Sequence, residues 1–67
     1  MTNTIKIKGN EFPMTLGVKE VSMYLGIGEK SARNEIKELN QELINAGKRV
    51  IKGRVFTEYF LERYAMV

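Results

Sequence analysis

The run from Glu29 to Ala46, bracketed by Gly28 and Gly47, restricts the fold more than any other feature of this chain. Ala32, Ile36, Leu39 and Leu43 recur at helical spacing, the apolar stripe that an α-helix turns toward a core. Lys30, Arg33, Asn34 and Lys37 fall on the opposite side of its first half. Gly28 stands where an N-cap belongs, and Gly47 where a left-handed C′ residue belongs. A helix with an apolar back and a basic, amide-bearing front turn has the make-up of a DNA-reading element. It has equally the make-up of a solvated helix face.

The neighbours of this helix must supply the rest of the core within 67 residues, near the lower limit for unaided folding. The chain contains no cysteine, so neither a disulfide nor a thiolate–metal cluster staples it. It contains no histidine and no aspartate, which removes the commonest general base, the commonest metal ligand and the usual partner of a nucleophilic serine. An enzyme is therefore not expected, nor a cofactor, nor a small-molecule substrate. No apolar run approaches the ~20 residues of a membrane span and no signal-peptide pattern follows Met1, so a cytoplasmic location without membrane association is the expectation. Eleven Lys and Arg against eight Glu give a formal charge of +3, and their distribution says more than the total. Lys48, Arg49, Lys52 and Arg54 fall in a window from Leu43 to Thr57 that holds no acid, whereas Glu35, Glu38 and Glu42 gather in the middle and rear of the long helix.

From the N-terminus, Thr2 to Lys8 alternates apolar Ile5 and Ile7 with Lys6 and Lys8, a half-buried strand that Gly9-Asn10 ends with turn chemistry. Phe12 and Met14 flank Pro13 in a connector that covers an edge of the core. Gly17 to Leu25 reads as a short helix with Val18, Val21, Tyr24 and Leu25 inward, and Gly26-Ile27-Gly28 as a tight turn that drops Ile27 between two helices. Short helix, glycine turn and longer helix make a helix-turn-helix over residues 17–46. Residues 48–56 read as a basic hairpin, with Lys52-Gly53 as the two-residue turn or part of a longer loop. Thr57 caps a last helix over 57–65 whose inward side is Phe60, Leu61 and Tyr64. The apolar tail Ala65-Met66-Val67 either packs down, frays or offers a small protein contact. The expected architecture is one α+β domain spanning 1–67, with three helices, a β-hairpin and a short N-terminal strand.

In this order of elements the sequence resembles the small winged helix-turn-helix DNA-binding proteins of the excisionase family, relatives of the MerR-like domain. The resemblance rests on Val18-Lys19-Glu20-Val21 with Tyr24-Leu25-Gly26-Ile27, on Ala32-Arg33 with Ile36-Lys37, and on Gly53-Arg54-Val55 with Tyr59-Phe60-Leu61; it runs roughly from Leu16 to Tyr64. It implies a protein of a phage, plasmid or integrative element that binds duplex DNA near a recombination junction, bends it and biases an integrase toward excision. Other proteins of this fold repress transcription or assist plasmid transfer and replication. The resemblance also implies that Lys30, Ser31, Arg33, Asn34 and Lys37 face the major groove while Arg49, Lys52 and Arg54 act as wing contacts. Two features depart from the family pattern: Gly28-Glu29-Lys30 replaces a serine-led start of the recognition helix, and that helix is long.

The chemistry of the individual residues gives each a role on DNA. Arg33 and Asn34 are the types that read guanine and adenine edges bidentately, and Lys30 and Lys37 suit phosphates, which position without specifying sequence. Ser31 donates to a phosphate or helps start the helix, and Glu29 accepts from a cytosine amino group or complements the helix dipole. The cations of the hairpin, Lys48, Arg49, Lys52 and Arg54, repel one another, so their gathering favours phosphate contact; strand-edge protection needs only one or two. The aromatic residues fall at core-facing positions and not beside the cations, which argues against a single-strand stacking platform. So small a module buries little surface on DNA, so self-association at neighbouring sites or an integrase partner is expected. The rival is a protein-interaction module that touches no DNA.

Overall fold

The computed structural model describes residues 4–64. Thr2 and Asn3 of the expected strand and the tail Ala65-Met66-Val67 lie outside the described residues, as does the last residue of the helix expected over 57–65. Three helices and two two-stranded antiparallel sheets make up a small α+β structure.

The N-terminal segment forms a hairpin where one strand and a connector were expected. Strand β1 (Thr4–Ile7) pairs with β2 (Asn10–Pro13), in a register that sets Ile5 opposite Phe12. The turn is Lys8-Gly9, one residue earlier than the Gly9-Asn10 chemistry suggests, and Asn10 joins the strand. Both turn residues have positive φ, 51° at Lys8 and 83° at Gly9, the twist that lets a two-residue loop match right-handed strands. Pro13 is tolerated because it ends an edge strand. Phe12 packs against the core as expected, but Met14 is 42% exposed.

Next, β3 (Thr15–Leu16) runs antiparallel to β4 (Val55–Phe56) and clamps the two ends of the chain around the helices. Helix α1 (Val18–Leu25) follows from Gly17, whose N–H donates to Glu20 Oε1 at 2.8 Å. It ends at Gly26, in the left-handed region at φ 66°. Helix α2 (Glu29–Asn45) closes within a residue of the expected end. Gly47 takes φ 80°, its N–H donates to Ile44 O and the Lys48 N–H reaches back to Leu43 O, the paired bonds of a Schellman C-terminus. Helix α3 (Thr57–Arg63) closes the chain.

Thr57 does not cap α3. Phe56 occupies the N-cap without a side-chain bond, and Thr57 is the first helical residue, fully buried. Its hydroxyl donates to Pro13 O and its N–H to Met14 O, so it fastens α3 to the end of β2.

The core is Leu16, Val21, Ala32, Ile36, Leu39, Val55, Phe60 and Leu61, with Ile27 and Leu25 packed at its margin. The α2 stripe is buried as the spacing predicts, Leu43 included. Complete burial of an Ile or Leu side chain contributes about 1.5–3 kcal/mol, so α2 is held by its packed face. Its length is further fixed from outside. Glu42 accepts from Tyr59 Oη at 2.6 Å and bidentately from Arg63 at 2.9 and 3.1 Å, and Glu35 accepts from Tyr64 Oη. Glu42 thus ties α2 to α3, and Glu35 ties it to Tyr64 just beyond α3.

Residues 48–54 depart most from expectation. The sequence reads as a β-hairpin over 48–56; the structure has a single bridge, Ile51 to Arg54, and Val55–Phe56 pairs with β3 instead. The reason lies in the turn. Lys52-Gly53 does form it, closed by Arg54 N–H to Ile51 O at 3.1 Å, but Gly53 alone takes positive φ while Lys52 does not. Positive φ at the second central residue only is type II geometry, which splays the flanking strands instead of propagating a ladder.

Candidate nucleic-acid interface

On α2, the outer face carries Lys30, Arg33, Asn34, Lys37 and Gln41, all exposed and within roughly 100° of arc on a 3.6-residue helix. Gly28 precedes them with extended dihedrals and no side-chain cap, so no side chain of residue 28 occupies the front N–H groups. Lys30, Ser31, Arg33, Asn34 and Lys37, all five helix residues singled out from sequence, line one shallow depression of about 420 Å³ together with Glu35. The Asn34 amide leans at 3.3 Å on Glu38 Oε2, an exposed bond of little strength.

A larger cleft of about 530 Å³ adjoins it, sharing Arg33 and Lys37. Val18, Ile36 and Asn40 line it from the helices, and Lys52 and Gly53 from the type II turn. Lys52 is therefore brought to the same side as the α2 cations by tertiary structure, from the far end of the chain. The tie that does this is Asn40, only 8% exposed. Its Nδ2 donates to Arg54 O at 2.8 Å and to Ile51 O at 3.3 Å, the two ends of the turn. Its Oδ1 is buried without a partner, so the side chain's amide orientation is set by the two carbonyls and by nothing on its other side.

The four cations of residues 48–54 lie in three different surroundings. Lys52 joins α2. Arg54 folds back: its Nε donates to Thr15 Oγ1 at 2.7 Å and its Nη2 to Thr15 O at 3.1 Å, pinning the turn to β3. Lys48 and Arg49 line a separate groove against Glu58 and Glu62 of α3, and neither touches the cleft beside Lys52. The single-patch expectation for Lys48, Arg49, Lys52 and Arg54 is corrected accordingly. The splayed turn, in place of a hairpin, disperses them.

Sequence reasoning did not find Asn40 or Gln41. Asn40 lies between the apolar positions of the stripe and reads as a lapse in it; only a polar residue at a core-facing position hinted at a bonded amide.

On the far flank, the Arg63 guanidinium, then the Tyr59 hydroxyl, hold the Glu42 carboxyl down at about 2, from an ordinary 4.5. Burial, then the bond to Glu35, pushes the Tyr64 phenol up to about 12. These groups are spent on structure; the acids beside the basic face are Glu38, bonded to Asn34, and Glu35, which lines the edge of the depression. Among the described residues there is no cluster of three or more His, Cys, Asp or Glu suited to a metal ion, and no helix long and apolar enough to cross a membrane.

Compared with family models, with curated proteins and with solved structures, the chain finds no match in any of the three.

Proposed function

We propose that the chain is a small winged helix-turn-helix protein that binds duplex DNA. The observation that carries the reading is the convergence of Lys30, Arg33 and Lys37 on the outer face of α2 with Lys52 across an open cleft, while Glu42 is bonded to Tyr59 and Arg63 of α3 and Glu35, at the edge of the depression, to the Tyr64 hydroxyl. In this reading α1, the Gly26–Gly28 turn and the front of α2 form the helix-turn-helix, and the 51–54 turn is a minimal wing. Arg33 and Asn34 read base edges; Lys30, Ser31, Lys37 and Lys52 hold phosphates. Glu29 complements the positive end of the α2 dipole. Arg54 supports the wing from behind and Lys48 and Arg49 lie off the DNA.

The cellular role that fits the resemblance is excision control for a mobile element, working with an integrase and with neighbouring copies on DNA; repression of transcription or a plasmid transfer or replication accessory role is the alternative. The protein works without catalysis or cofactor, in the cytoplasm. The test is fluorescence anisotropy on a labelled pool of genomic duplex fragments with wild type and Arg33→Ala. Selection of one fragment by wild type and its loss in the variant supports the reading. Binding of no fragment even at low salt refutes it and leaves a protein-interaction module.

A further inference from the structure

The groove that takes Lys48 and Arg49 away from the basic cleft has a build of its own. It encloses about 360 Å³ between the loop after α2 and helix α3. Leu43, Phe56 and Tyr59 form its apolar wall; Lys48 and Arg49 form one lip, Glu58 and Glu62 the other. Glu58 and Glu62 stand one helical turn apart on the same face of α3. Among the described residues the single ion pair within 4 Å is Arg63 with Glu42, so neither lip is paired with the other. Leu43 lies about 140° around α2 from Lys30, so an occupant of this groove leaves the basic face open.

We infer that this groove is a self-association surface whose occupant is a second copy of the chain. The argument is charge complementarity. Two cations facing two carboxylates across an apolar floor attract neither a uniformly acidic nor a uniformly basic partner. A twofold rotation, by contrast, lays the basic lip of one copy on the acidic lip of the other and repeats the match on the other side, the self-complementary pattern of an isologous contact. The apolar walls then cover one another and Tyr59 keeps its bond to Glu42. A contact this small belongs to the weak, salt-sensitive class of interface, and it doubles the basic surface offered to a polymer. It requires no DNA and stands or falls separately from the proposed function.

Sedimentation of the full chain over a protein dilution series, at low and high salt, is the test. Wild type is expected to dimerise toward millimolar protein and to weaken as salt rises. K48E/R49E, which makes both lips acidic, and E58K/E62K, which makes both basic, are each expected to be monomeric, and their equimolar mixture to associate. Circular dichroism checks that each is folded, and amide chemical shifts of wild type on dilution give a readout that depends on no variant, with changes expected at Leu43, Phe56 and Tyr59. A wild type monomeric throughout overturns the inference. So does a mixture of folded variants that does not associate, or dilution shifts that fall on Arg33 and Lys37 instead.

Discussion

Replacing Asn40 with alanine should separate the stability of this fold from the geometry of its basic cleft. The substitution removes the donor that holds both ends of the 51–54 turn to α2. The two bonds are not equal. Ile51 O, at 3.3 Å from Nδ2, also receives the Arg54 N–H, whereas Nδ2 approaches Arg54 O to 2.8 Å, the shorter of the two bonds. Losing one well-formed bond and leaving its acceptor without that partner costs about 1–3 kcal/mol. The same change removes the buried, partnerless Oδ1, which offsets part of that cost, so the net loss is about 1–2 kcal/mol. For a domain of this length it lowers Tm by roughly 5–15 °C. Asn40→Asp is worse, because a carboxylate has no donor for either carbonyl and carries a charge into a site only 8% exposed. The functional consequence is that Lys52 loses its fixed place opposite Lys37, and the slope of log affinity against log salt becomes shallower by about 0.9. Val21→Ala, in α1 and fully buried, is the control: deleting two methyl groups costs about 2 kcal/mol yet leaves the slope alone. Urea unfolding and anisotropy salt titrations on the same three proteins give both numbers. An Asn40→Ala protein as stable as wild type, or a slope that shifts equally in Val21→Ala, refutes the reasoning.

Three further outcomes follow from the same geometry. Arg54→Ala gives up two exposed bonds to Thr15 and should lower stability by about 1 kcal/mol in thermal melts while leaving the salt slope unchanged, because that guanidinium serves β3. Glu42→Gln should be less stable than wild type at neutral pH and equal to it in strong acid: a carboxyl held down at about 2 stabilises above its ordinary 4.5, and the advantage disappears as pH falls from there toward about 2. Acid titrations followed by circular dichroism should show the two curves converging in that window, and parallel curves would contradict the Arg63 and Tyr59 ties. Gly26→Ala, forced into φ 66° with no neighbour within 4 Å, should destabilise through backbone strain alone, by about 1 kcal/mol in urea unfolding.

Long-period signals in this sequence were legible and short ones were not. The α2 stripe spans several turns, so its face, its Gly47 terminus and the basic residues opposite could be read directly. Strands β3 and β4 have two residues each, too few for any alternation, and their pairing joins Thr15–Leu16 to Val55–Phe56 across most of the chain. Lys8-Gly9 hid its turn because lysine seldom takes positive φ. Lys52-Gly53 showed its turn but not its type, and the type decides whether a hairpin grows. For the candidate site, one stretch of helix was visible because its five residues share an element. The division of Lys48, Arg49, Lys52 and Arg54 among three surroundings depends on Asn40, Thr15 and the acids of α3, none of them near in sequence.

The central claim, that α2 and the 52–53 turn form one DNA-binding face and that Lys48 and Arg49 lie off it, is tested most directly by salt titrations on a selected duplex. Wild type should fall with a slope of about −3, for phosphate contacts by Lys30, Lys37 and Lys52. Lys37→Ala and Lys52→Ala should each make it shallower by about 0.9, while the double variant Lys48→Ala/Arg49→Ala, compared at protein concentrations too low for self-association, keeps the wild-type slope. A slope carried by Lys48 and Arg49 and indifferent to Lys37 and Lys52 would contradict the account.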